Sequence, residues 1–212
     1  MRYFILPTCC IAFNAKVASS SLACSIVKKY YPDRLQKVLD DHEAIWSRFS
    51  QGFKDSLPDS FQKMFKNDKL DSVSFWQNVC PTTQFPDKPV MIAFRDPVER
   101  FASTVAYLEV EPEKALKTLE DDGKIVLEKT LIRLSTNTHF LAQCSLIRVG
   151  ARIYRFPDQI QKMCSEAGLD FPLEYVNQGK NPKPELSQSQ IGRLKKIYAA
   201  DFAIWESLSS AK

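Results

Sequence analysis

The chain has 212 residues, 44% hydrophobic and 25% charged, the balance of a globule with a core of its own. That excludes a disordered chain, a collagen-like fibre and a disulfide-knotted mini-protein. Its 29 basic and 25 acidic residues leave a net charge of +4, which favours an anionic ligand and falls short of a nucleic-acid-coating protein.

Residues 9–13 (CCIAF) form a short all-apolar run, the pattern of a buried strand. The chain then passes through Asn14-Ala15-Lys16 and Val17-Ala18-Ser19-Ser20-Ser21 into a helical stretch over 22–29. This predicts a strand, a tight loop and a helix N-terminus. Between 33 and 49, Leu35, Val38, Leu39, Ile45, Trp46 and Phe49 make a helical stripe that also carries His42. Residues 51–88, interrupted by Pro58, Pro81 and Pro86, read as short helices and a substrate-shaping loop. Residues 90–94 (VMIAF) predict a second buried strand running into Arg95-Asp96-Pro97-Val98-Glu99. There Asp96 suits the N-cap, Pro97 the first helical position, and Glu99 the far side of a capping box.

Helices are predicted to about Leu108 and over 112–121, 125–134 and 158–167, the last ended by Gly168. Residues 153–156 predict a further strand and 175–184 a polar loop. Ser187 and Gln190 cap a closing helix with the stripe Ile191, Leu194, Tyr198, Phe202 and Trp205. Short apolar strands alternating with amphipathic helices argue for an α/β fold with a parallel sheet, as one domain over 1–212.

The six cysteines, Cys9, Cys10, Cys24, Cys80, Cys144 and Cys164, include no CxxC pair, and His42 and His139 are the only histidines. Reduced thiols and no zinc site are expected. The apolar N-terminus is broken by Pro7 and carries little charge, unlike a signal peptide. No apolar run nears the ~20 residues of a membrane helix. A soluble, cytoplasmic protein without a membrane span is the expectation.

Ligands of open parallel sheets sit beyond the carboxyl ends of the strands, where both strand-to-helix turns lie. The first turn offers Lys16, unpaired N–H groups at a helix start, and the hydroxyls of Ser19, Ser20 and Ser21. With six glycines in the whole chain and no GxxxxGKS/T, it is not a conventional ATP or GTP loop. The second turn offers Arg95 and, two helical turns on, Ser103. Taken singly, the serines are equally N-caps, Lys16 a solvated charge, and Arg95 a partner for Asp96 or Glu99. Their joint occurrence after two buried strands points to two anion pockets.

Here a family resemblance enters. Residues 15–22 (AKVASSSL) resemble the 5′-phosphosulfate loop of sulfotransferases that use 3′-phosphoadenosine 5′-phosphosulfate (PAPS). Residues 95–103 (RDPVERFAS) resemble their 3′-phosphate motif, RDPxxRxxS. Residues 137–143 (NTHFLAQ) are similar to an HFxPQ-like segment of the carbohydrate-type members, and 177–184 to a late cofactor loop. Ala15 and Ala142 stand where a proline is common.

The resemblance implies a three-layer α/β/α, P-loop NTPase-like sulfotransferase fold with a central parallel sheet. It implies in-line transfer of a sulfuryl group from PAPS to a hydroxyl or amine, on a carbohydrate or small alcohol, without a metal. Lys16 would serve the bridging oxygen, and Val17, Ala18, Ser19, Ser20 and Ser21 the 5′-phosphate. Arg95 and Ser103 would hold the 3′-phosphate, and Asn177 and Lys180 would close over the nucleotide. His139 is the preferred base, with His42 and Glu43 as alternatives. A P-loop-like ATP-dependent kinase and a non-catalytic anion- or glycan-binding module are the competing readings.

Overall fold

The computed structural model describes residues 3–12, 14–17, 22, 26, 88–127, 130–169 and 181–210. The element order is β1 (Tyr3–Ile5), β2 (Cys10–Ala12), β3 (Val90–Arg95), α1 (Pro97–Leu108), α2 (Pro112–Glu120), β4 (Lys124–Leu127), β5 (Thr130–Arg133), β6 (Arg152–Phe156), α3 (Ile160–Glu166), α4 (Gln188–Ile197) and α5 (Ala199–Ser210). The architecture is mixed α/β: a sheet ordered β1-β2-β3-β6, in which three strands run parallel, and a separate β4-β5 pair. The chain divides into two compact units, one of Met1–Phe13, Ala18–Met91 and Gln161–Gln178, the other of Asn14–Val17, Ile92–Ile160 and Gly179–Lys212.

In the first unit β1 and β2 pair antiparallel, Phe4 opposite Ile11, across a turn closed by Leu6 N–H donating to Cys9 O at 2.8 Å. The helix breaker at Pro7 therefore marks a hairpin, and β1 is a strand the sequence reading did not separate from the apolar terminus. The Lys88 ammonium fastens this turn, donating to Leu6 O at 2.8 Å and Pro7 O at 3.0 Å. Strand β2 pairs parallel with β3 in the register Cys10 to Val90, and all three of its residues are buried. Burial on both faces is why these runs read as continuous apolar stretches. Helix α3 starts later than expected, after a turn over 157–159, and closes at Gly168, whose φ of 72° suits a residue without a Cβ.

The second unit has its own core, in which Phe101, Val105, Leu116, Leu134, Phe140 and Leu194 are buried together. Helix α1 begins as anticipated: Asp96 Oδ1 accepts from the N–H groups of Val98 at 2.8 Å and Glu99 at 3.0 Å, with Pro97 at the first position. The capping box is not completed. Glu99 turns its carboxylate instead to Arg95 and Lys183.

The helix expected over 125–134 is a β-hairpin followed by a 3₁₀ turn, Leu134–Thr136. Ile125 and Leu127 face inward while Lys124 and Val126 face out, a period of two that β-branched residues at 125, 126, 130 and 132 favour. The closing helix is two helices. The Ser187–Gln190 capping box forms, but the chain breaks at Tyr198, whose hydroxyl donates to Phe140 O at 2.6 Å. Trp205 from the expected apolar stripe lies against the Arg155 guanidinium, 4.4 Å from its ring centre.

Cys9, Cys10, Cys144 and Cys164 are not joined in disulfides, whereas Cys24 and Cys80 lie outside the described residues. Among the described residues no helix is long and apolar enough to cross a membrane. Leu116, with 0% of its surface exposed, reports on the core. Leu116→Ala is expected to lose about 2–5 kcal/mol in urea unfolding, and a loss below about 1 kcal/mol would mean this core is not the one that holds the unit together.

Candidate functional site

All described residues of the site belong to the second unit. Lys16 follows β2 and occupies the left-handed region at φ 63°, and Arg95 ends β3. The Arg95 Nη1 donates to Lys16 O at 3.0 Å, so the two turns expected as separate pockets form one cluster. The Lys16 ammonium lies 4.1 Å from the centre of the Tyr107 ring, which in turn sits 5.2 Å from the ring of His139. Arg95 also reaches Glu99 Oε2 at 3.3 Å, and that carboxylate takes a second bond from Lys183 Nζ at 3.0 Å.

Arg100, only 5% exposed, spans the site from below, its Nε donating to Ala15 O at 3.2 Å and its Nη2 reaching Thr138 O at 3.5 Å. It braces the loop before Lys16 against the loop before His139. His139 is oriented through its backbone: its N–H donates to Asn137 Oδ1 at 2.9 Å and its carbonyl accepts from Thr104 Oγ1 at 3.3 Å. Its Nδ1 is buried without a hydrogen-bond partner among the described residues.

Burial, reinforced by the positive charges of Arg95 and Lys183, lowers Lys16 to about 8. Burial, with Lys16 and Arg100 nearby, lowers His139 to about 4. Arg95 and Arg100 are lowered as well, chiefly by burial. Glu99 is held below the usual carboxylate range, first by its bond from Lys183 and then by Arg95. At neutral pH the cluster thus presents several cations, one of them a lysine poised near its titration point, and an unprotonated imidazole. Such a set has the charge and donors to suit an anion that carries more than one negative charge.

Of the expected residues, Lys16, Arg95 and His139 are gathered together. Ser103 is half-buried in α1, and Val17 is buried at 1% exposure, which makes its side chain part of the packing. Ala18, Ser19, Ser20, Ser21, Asn177, Lys180, His42 and Glu43 lie outside the described residues, as do Trp46 and the stretch 51–87.

Other members were missed. Asn14 Nδ2 donates to Ala93 O at 2.8 Å and to Gln143 Oε1 at 3.0 Å. Gln143 also exchanges two bonds with the Arg95 backbone, and the Asp201 carboxylate accepts from the N–H groups of Gln143 and Cys144, both at 2.8 Å. Gln143 falls within the HFxPQ-like segment and Arg100 within RDPxxRxxS, but a motif letter alone assigns neither a role. Lys183 falls within the 177–184 segment that resembles a late cofactor loop, whereas Asn14, Tyr107 and Asp201 carry no pattern that sets them apart from ordinary polar or aromatic positions.

No family model, curated protein or solved structure matches the chain.

Proposed function

We propose that the chain is a PAPS-dependent sulfotransferase of carbohydrate type, built on the P-loop NTPase-like sulfotransferase fold. The observation that carries this reading is the bond from Arg95 Nη1 to Lys16 O at 3.0 Å, which unites the two anion-binding turns at the ends of two strands. A nucleotide with phosphate groups at both its 5′ and 3′ positions needs such a paired set, and the Lys16, Arg95 and Lys183 cations suit it.

The donor nucleotide supplies a sulfuryl group whose S–O bond to the 5′-phosphate breaks as the acceptor oxygen attacks the sulfur in line. The protein's part is positioning and charge. Lys16 supplies positive charge where the departing oxygen becomes negative. Arg95 selects for a 3′-phosphate, with a forked guanidinium that a lysine cannot imitate. His139 takes the acceptor proton at Nδ1, the ring atom without a partner among the described residues.

These groups dictate a pH profile. His139 must be unprotonated and gains that form as pH rises through about 4, whereas Lys16 must be protonated and loses its proton as pH rises through about 8. A bell-shaped kcat/KM bounded by these two limbs is expected. A profile still climbing beyond pH 9 would remove Lys16 from the role.

Calorimetry with adenosine 3′,5′-bisphosphate, ATP and AMP tests the assignment, followed by transfer of radiolabelled sulfate from PAPS to oligosaccharides, phenols and small alcohols. Tight, selective binding of the bisphosphate with transfer to one class supports it. Equal affinity for ATP overturns it, and magnesium-dependent ATP turnover would favour a kinase. Selective binding without transfer to any acceptor would instead describe a non-catalytic binding module.

A further inference from the structure

Gln143 joins the two halves of the anion site through one planar amide. Its Oε1 accepts from Arg95 N–H at 3.0 Å and its Nε2 donates to Arg95 O at 2.8 Å, the exchange a neighbouring strand would make. The same Oε1 accepts from Asn14 Nδ2 at 3.0 Å, two residues before Lys16. Gln143 is 0% exposed, and its own backbone is held because Asp201, 1% exposed, accepts from its N–H and that of Cys144.

The network is not the cheapest way to fill this space. Asn14 Oδ1 is buried and has no partner among the described residues. Turning the amide over would set that oxygen against Ala93 O and Gln143 Oε1, so the two acceptors dictate the orientation and the orphan follows from it. An apolar filling of the same shape would avoid the orphan but could not grip the Arg95 backbone.

We propose that Gln143 is a positioning residue for the anion site: its side-chain amide, carried on a backbone that Asp201 holds, sets how closely Arg95 stands to the Lys16 turn. The charge density that an incoming anion meets is thereby fixed before it arrives. This rests on the sulfotransferase reading only for the identity of the anion.

The test uses Gln143→Met, which keeps the volume and removes every bond of the amide. Two readouts are needed, calorimetric affinity for inorganic pyrophosphate and NMR titration of the Lys16 amine, assigned by its disappearance in Lys16→Arg. Lys16 is faced by Arg95 and Lys183, with Tyr107 and His139 beside it. With Arg95 released, pyrophosphate affinity is expected to fall about tenfold or more, and the Lys16 titration to move up toward an ordinary lysine. An unchanged Lys16 titration overturns the proposal whether or not affinity falls, because a merely structural role would leave it in place. This readout needs no ligand, so it stands even if adenosine 3′,5′-bisphosphate proves no better than pyrophosphate and the nucleotide reading fails.

If the methionine variant does not fold, Gln143→Glu decides. Its carboxyl would meet the Arg95 backbone and Asn14, with the Arg95 and Asp201 charges beyond. Its affinity relative to the parent protein is expected to recover as pH falls and the carboxyl gains the proton that can be donated to Arg95 O. A ratio independent of pH overturns the proposal.

Discussion

Arg95→Ala is expected to weaken binding of adenosine 3′,5′-bisphosphate by about a hundredfold or more, with the fold retained. The Arg95 side chain is only 14% exposed, so its bonds form in a partly desolvated place. A hydrogen bond to a charged partner contributes about 1.5–3 kcal/mol, and a forked guanidinium makes two. At about 1.4 kcal/mol per tenfold, their loss spans two decades or more. The existing bond to Glu99 does not offset this, because Glu99 is 57% exposed and such surface pairs contribute about 0–1 kcal/mol. Arg95→Lys should recover little of the loss, since an ammonium cannot hold both the anion and the Lys16 carbonyl. Calorimetry decides the matter: wild-type affinity in Arg95→Ala would remove the second turn from the site.

Lys16→Ala is expected to act on turnover more than on affinity. Removing one preorganised donor from a developing negative charge costs about 10²–10³ in rate, roughly 2.7–4 kcal/mol. The variant should also lose the alkaline limb of the pH profile that titration near 8 produces. Stability should respond in the opposite sense. The folded chain holds the Lys16 proton less tightly than the unfolded chain, so the parent protein gains stability as pH rises from about 8 toward 10.5, and Lys16→Ala should lack that gain. Unchanged sulfate transfer in Lys16→Ala would end its catalytic assignment.

What could be read from the sequence was local. The strands β2 and β3 showed themselves because burial on both faces leaves no polar alternation. The start of α1 did so because Asp96, Pro97 and the helix behind them form a cap within four residues. The hairpin β4-β5 was misread because Leu127, Leu131 and Leu134 also fit a helical spacing, i, i+4 and i+7, whereas in the structure Val126 and Leu131, 63% and 61% exposed, turn outward from the hairpin. Glu99 was misassigned for a related reason: its capping role is local, whereas Lys183, which draws it away, is 84 positions distant. The same holds for the site. Lys16 and Arg95 each announced themselves by following an apolar run, but the Asn14–Gln143 bond bridges 129 positions and involves two neutral amides. Nothing in a linear pattern marks such a pair, because its meaning lies wholly in what the fold brings next to it.

The left-handed backbone at Lys16, with φ at 63°, bears on how this chain can change over time. That conformation disfavours any side chain with a Cβ by roughly 1–2 kcal/mol, and glycine would occupy it freely. Selection for stability alone would therefore favour glycine at this position, as it would at Glu109 and Asp122, which share the left-handed region. On the proposed role of Lys16, stability and anion chemistry pull in opposite directions at this one residue, and gains in stability are expected to come from other positions.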